Sequence, residues 1–412
     1  MNRRGPLVIA LVVTTGCSTA KEGPPTLVYP YTYTPETGLE PYELVRVETE
    51  TWVPLLDEEE TGLYVQKSVL HRPGAPVESV EHFSAMKALI PPLADTGELR
   101  VSFAGDTMWV GGNWAHVFDP VAALFDGDLR VTNLETPATP NESSEKFALG
   151  TYAFNSDPAY LDGIPADLLQ LNNNHSLDAG EQGLTDTLAE VDARGIARTG
   201  IDDHEIIEVT GRTIAFLSFT WGINQQDITP ERALFIVPFG HEADVDLTPA
   251  LDVIAASTAD FVVVMPHWGY EYEYYPDPRF MVQARALIGA GADLIVGTGP
   301  HVVQPVELCE VNRGVSPGVG ACAVENGGEP RTAAVLYSLG NAATTMATMP
   351  CEVGLLATVS LGEGGVTGLG WDALVNHDSV PEVRPADEAN ADEAAEVARL
   401  AAHIGETWRR AR

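Results

Sequence analysis

From Leu99 onward, short apolar runs alternate with stretches in which apolar residues recur at helical spacing. The runs are LRVSFAG, DLRVTNLE, LLQLNNNH, TIAFLSFT, DFVVVMPHWG, ADLIVGTGPH and TAAVLYSLGN. Each predicts a buried strand, because β-branched and aromatic residues dominate a short span that ends in a polar or glycine-rich turn. TLAEVDARG and MVQARALIGAG predict amphipathic helices between them, with Gly195 and Gly291 where each must stop. Strands alternating with helices predict an α/β domain whose ligands bind at the carboxyl ends of the strands. The tail DEANADEAAEVARLAAHIGETWRR reads as a single helix, acidic at its start and basic at its end, as the helix dipole favours.

Residues 18–97 have another texture, rich in proline, threonine and glutamate, and read as an extended tether followed by a small irregular elaboration. MNRRGPLVIALVVTTGC, at the start, has two arginines, an apolar run too short to span a bilayer, and small residues ending at Cys17. This is the pattern of a secretory signal. The residues before Cys17 resemble the lipobox of bacterial lipoproteins, which implies lipidation of Cys17 and an extracytoplasmic, membrane-anchored protein; plain secretion is the alternative. In an exported chain two of Cys309, Cys322 and Cys351 are expected to pair. Cys309 with Cys322 would close a loop through the flexible RGVSPGVG. The resulting division is 1–16 signal, 17–97 tether and elaboration, 98–375 main domain, and 376–412 acidic linker and helix.

The chain carries 59 acidic against 23 basic residues, a formal net charge of −36. Such a surface repels nucleic acid and anionic membranes at long range, which excludes DNA or RNA as a partner. The polar residues that do stand out fall at strand ends: Asp106 after VSFAG, Asn133 and Glu135 after LRV, Asn174 and His175 after LLQL, His267 after FVVVMP, and His301 after LIVGTGP. Carboxylate, imidazole and amide oxygen are the donors that hard and borderline divalent cations prefer.

GDTM, NLET, NNNHSLDAGEQGLTDTLAEVDARGI, HWGYEYEYYP, GADLIVGTGPHVVQP and YSLGN together resemble the CapA family of poly-γ-glutamate capsule synthesis over about residues 98–345. The resemblance implies the calcineurin-like metallophosphoesterase fold: a sandwich of two β-sheets flanked by helices, here with a C-terminal helix. It also implies a divalent metal ion (manganese, zinc or iron). Carried over, Asp106 contacts or bridges metal and Glu135 stands with Asn133 in the second acidic segment. Asn174 is a ligand, and His175 orients or protonates the reacting group. His267 and His301 are imidazole ligands, and Asp178 would hold a ring nitrogen of His175. Asn173, Trp268, Glu271, Tyr272 and Asn341 join Asn133 as candidate substrate contacts. For the aromatic run YEYEYYP, packing on the domain is an equal reading; for Asn341, a tight turn at Gly340 is one.

The chain departs from the family pattern at three places. Met108 stands where ordinary metallophosphoesterases have the histidine of Asp-x-His, and Gly299 stands where family members carry a histidine before Pro-His. No arginine lies near Gly112. His116 and Glu271 are candidate substitutes for the missing imidazole. The expected function is a metal-dependent hydrolase acting on a phosphoester or an anionic cell-surface polymer, with capsule-synthesis membrane proteins as partners. The alternative is a catalytically weak accessory protein that binds polymer or partner enzymes.

Overall fold

In a computed structural model, residues 76–87 and 99–410 are described, apart from 147, 151, 203, 226–235, 238–245, 347–348, 378–379 and 406–407. Cys17 and the segments expected to be a signal and a tether lie outside them. Among the described residues fifteen strands form the frame: β1 (Leu99–Thr107), β2 (Leu129–Leu134), β3 (Leu168–Gln170), β4 (Ala197–Thr199), β5 (Glu205–Val209), β6 (Arg212–Thr220), β7 (Phe261–His267) and β8 (Leu294–Val296). The rest are β9 (Val306–Val311), β10 (Cys322–Val324), β11 (Arg331–Leu336), β12 (Asn341–Ala343), β13 (Val353–Gly362), β14 (Gly365–His377) and β15 (Val380–Pro385). Each apolar run predicted as a strand contains one. The hydrogen-bonded order is β4-β3-β2-β1-β13-β14-β11-β8-β7-β6-β5.

Between β14 and β11 that order is carried by one pair, Thr332 with Gly365, so the network folds there into two facing halves. One apolar cluster joins Val101 and Phe103 of β1 to Phe216 of β6, Val263 of β7, Leu336 of β11 and Trp371 of β14. It is the filling between the halves. The alternate side chains of β6, β7 and β11 face outward onto helices Thr248–Ala256 and Pro278–Ala290. Those of β2 and β3 pack on helix Gly180–Ala193. Period-two alternation thus gives each half one face for the shared core and one for its helices. The α/β sandwich flanked by helices is the architecture expected.

Both predicted helices are present, and Gly195 (φ 66°) and Gly291 (φ 133°) follow them in conformations that favour glycine. Among the described residues no helix is long and apolar enough to cross a membrane. The C-terminal helix is shorter than expected. It begins at Ala391 under a capping box formed by Asn390 and Glu393, and its regular α-helical turns end at Leu400. The boundary expected at 375/376 falls inside a hairpin, since β14 runs to His377 and β15 returns along it. Val397 and Leu400 then bury themselves in the central core.

Cys309 and Cys322 form a disulfide between β9 and β10, and Cys351 is free and buried. The bridge closes a loop with a sequence separation of 13. Loop-closure entropy for that length predicts that a Cys309→Ser, Cys322→Ser double variant loses about 3 kcal/mol of stability, read as a lower denaturation midpoint in urea.

Candidate metal centre

The parallel strands of both halves deliver their carboxyl ends to one place. Asp106 sits abreast of Asn133 on β2 and of Asn341 on β12. His267 closes β7, bridged to Thr298 beyond β8. The first half supplies Asp106, Asn133, Glu135, Asn174 and His175; the second supplies His267, Gly299 and His301. All of these polar side chains are buried.

Asp106, Glu135 and His301 each offer one donor atom within 4.8 Å of the others. Asp106 Oδ1 accepts from Asn133 Nδ2 at 2.8 Å, and Oδ2 accepts from the Gly299 amide at 3.1 Å. His301 Nδ1 lies 3.3 Å from Asp106 Oδ2 and 3.8 Å from Glu135 Oε2. It is held by Asn341 Oδ1 at 2.9 Å, on a backbone of φ 59°. Glu135 differs from every other group here, because both its carboxylate oxygens are buried without a hydrogen-bond partner. A buried carboxylate in that condition is costly, and a cation between it, Asp106 and His301 would remove the cost. The residues present therefore fit a divalent ion.

His267 and Asn174 are placed differently. His267 Nε2 lies 2.7 Å from Asn174 Oδ1, and its Nδ1 lies 3.0 Å from Thr298 Oγ1. Both are at the site, since His267 Nε2 is 3.4 Å from Glu135 Oε1, but they are bonded to each other. His175 Nδ1 is 2.6 Å from Asp178 Oδ2, and that oxygen also accepts from the Phe154 amide at 2.9 Å. This leaves Nε2 of His175 facing Glu135, 4.0 Å from its Oε1. Asn173 braces the group from behind, donating to Asn133 Oδ1 and the Leu134 carbonyl while accepting from the His175 amide.

The electrostatics separate the groups. Burial, helped by the Asp106 charge, pushes Glu135 up to about 8. Burial also works to raise Asp106, but His301, His267 and the Asn133 amide outweigh it and hold the carboxyl below its usual range. Burial opposes charge on the imidazoles. His267 falls to about 3, whereas Glu135 and Asp106 carry His301 up to about 10, and Asp178 with Glu135 carries His175 up to about 9. One neutral and two charged imidazoles result.

Three sequence expectations need correction. Trp268 does not face the site: it is buried among Phe219, Phe280 and Tyr337 and donates Nε1–H to the Tyr337 carbonyl. Adjacent strand residues point to opposite faces, so His267 inward puts Trp268 outward. His116 is exposed and bonds to Asp119, away from the centre. Tyr272 is buried against Val302 and Cys351, its amide on the Pro300 carbonyl, so it anchors the loop. Glu271 is half-buried, and its charge acts on Glu135 and His301. Asn341 holds His301 and donates to the Cys351 carbonyl, a positioning part.

Gly299 is more than an absent imidazole. Its φ is 110°, and a Cβ there would come within 2.8 Å of the Trp268 carbonyl oxygen. The turn instead aims its N–H at Asp106. Sequence reasoning missed this donor, along with Thr298, Phe154 and Asn224. Thr298 stands in GTGPH and was findable; Phe154 and Asn224 come from segments with no local signal.

A curated relative, the PGA biosynthesis protein CapA of Bacillus subtilis (strain 168), is 37% identical over 231 residues, 51% of this chain and 59% of its own length. The capsule biosynthesis protein CapA of Bacillus anthracis is 32% identical over 148 residues, 34% of this chain and 36% of its own. The matches thus span less than two thirds of either relative. Among solved structures, the 5'-nucleotidase of Candida albicans aligns with a TM-score of 0.36 and 10% identity over 77% of this chain and 60% of that one. The profile described as "Bacterial capsule synthesis protein PGA_cap" matches residues 100–346, a span that includes every residue of the centre, and the chain belongs to that family.

Proposed function

We propose that the chain is an exported, metal-dependent hydrolase that cuts an anionic cell-surface polymer during capsule synthesis, tethered through Cys17. The observation that carries this reading is the buried, unbonded carboxylate of Glu135 beside Asp106 and His301. Those three residues would hold the ion, with His267 and Asn174 at its edge. A bound divalent ion supplies Lewis-acid polarisation of the scissile group and neutralises substrate charge. The names of the two CapA relatives support polymer rather than a small phosphoester as substrate.

The chain's own residues do the remaining work. Asp178 accepts from Nδ1 of His175 and favours the imidazolium form, whose Nε2 then carries the proton that can pass to a leaving group. Asn133 and the Gly299 amide each hold one oxygen of Asp106, fixing that carboxylate in one orientation. His267 stays neutral and keeps the Asn174 amide in place. Gly299 favours the second reading, an accessory binder, because the turn has no room for another imidazole.

Metal content of the purified protein, by elemental mass spectrometry, separates the two. Manganese, zinc or iron approaching one ion per chain is expected, and it should be lost in Asp106→Asn and in His301→Ala. Release of new ends from a γ-linked glutamyl polymer should accompany it. Absence of metal after incubation with each ion in excess would sink the hydrolase and leave the binding role.

A further inference from the structure

Beside the centre lies a cleft of about 270 Å³ lined by Met108, Trp109, Lys146, Tyr152, Phe154 and Met346, among others. It borders the site. Met108 follows Asp106 by two residues, the Phe154 ring is 5.4 Å from the His175 ring, and Met346 Sδ accepts from the Asn341 amide that holds His301. Trp109 is fixed in the floor: its Nε1 donates to the Ser144 carbonyl, Trp114 meets it edge-on, and Phe154 stacks against it. Over the Trp109 ring, 5.8 Å from its centroid, sits the ammonium of Lys146. Lys146 is exposed, and it is the only lysine after Lys87.

We propose that this cleft is the subsite that reads the acidic unit of the polymer, with Lys146 receiving its carboxylate and the Trp109–Met108–Met346 floor receiving its methylenes. The inference rests on the polymer reading above and names the contact that reading lacks. A chain with net charge −36 repels a polyanion at long range, so a polymer reaching the centre needs a local attractor beside it. Lys146 provides one, and the ring beneath it limits where its flexible stem can swing. Thioethers and ring edges suit the aliphatic spacer of an acidic residue, because such contacts bury CH₂ groups without asking for hydrogen bonds.

The test is calorimetric titration of the purified full chain, kept metal-free so that nothing is hydrolysed. The probes are a short γ-linked glutamate oligomer, its counterpart with every free α-carboxylate converted to an α-carboxamide, and adenosine 5'-monophosphate. The glutamate oligomer should bind; Lys146→Met should weaken it about tenfold, and Lys146→Arg should keep most of the affinity. The α-carboxamide oligomer should bind weakly, with no change in Lys146→Met. Equal binding of acid and amide oligomers, unchanged affinity in Lys146→Met, absence of binding, or displacement of the oligomer by the nucleotide would each overturn the assignment. The two readings fail separately. Metal loading with an indifferent Lys146 leaves the hydrolase without this subsite; acid-selective binding without metal leaves the subsite without the hydrolase.

Discussion

Replacing Glu135 by glutamine should make the metal-free protein more stable while abolishing cation binding. In the metal-free state the Glu135 carboxylate has no hydrogen-bond partner, and its group is pushed up to about 8 by burial and by Asp106. The sign follows from linkage. Below its usual value near 4.5 the group is protonated both folded and unfolded, so the substitution changes little there. As pH rises from 4.5 toward 8, the unfolded chain gives up this proton and the folded one keeps it, so the wild-type protein loses stability across that window. Glu135→Gln should therefore gain on the order of 1–3 kcal/mol at pH 7 to 8 and nothing at pH 4.

A cation reverses the order. At a hundredfold excess over its Kd an ion stabilises the wild-type protein by about 2.7 kcal/mol and leaves the variant where it was. Thermal denaturation with chelator and then with manganese or zinc should show the two melting curves exchanging places. Curves that keep the same order in both conditions would remove Glu135 from the ligand set.

The centre was legible because its donors are local in sequence. Each stands at the end of an apolar strand, and parallel strands bring their carboxyl ends together without further information. Asp106, Glu135 and His301 needed only that rule. Trp268 shows the rule being misapplied: the strand period that points His267 inward already points its neighbour away. What could not be read is the bracing across the halves. The Gly299 amide on Asp106 spans 193 positions, and Asn224 reaches His175 from 49 positions away. Such partners are set by how the two halves close, which no local pattern encodes. β4, β5, β9, β10 and β12 to β15 were not predicted, although β13 and β14 are the longest strands of the frame; their pairing depends on neighbours chosen by tertiary packing. Trp109 and Lys146 carried no signal in the sequence, and only the folded chain sets them beside Phe154, whose ring meets that of His175.

The helix Val77–Lys87 gives the second large effect, and it concerns the segment whose role the sequence left blank. Its His82 reaches Glu307, a fully buried carboxylate on β9: His82 Nε2 lies 2.6 Å from Oε1, which also accepts from Arg285 Nη2 at 2.6 Å. Oε2 accepts from the Tyr337 hydroxyl at 2.6 Å. His82 Nδ1 accepts from the Gly320 amide, so Nε2 carries the ring proton and donates it to Glu307. Around this, Phe83 packs edge-on to Tyr337, and Ser79 donates to the carbonyl of Pro276, the last residue of the YEYEYYP loop. Glu307→Ala would strip three donors of their acceptor in a dry interior. Removing one partner of a buried ionic network costs about 3–5 kcal/mol. The urea midpoint should fall accordingly, and amide exchange in residues 77–87 should rise before that of β7 or β11, because the helix loses its polar anchor while the sheets keep theirs. The Gln variant should recover part of the loss through its remaining amide oxygen. Exchange rising uniformly across the chain would instead mean that Glu307 supports the whole sandwich and that the helix only rests on it.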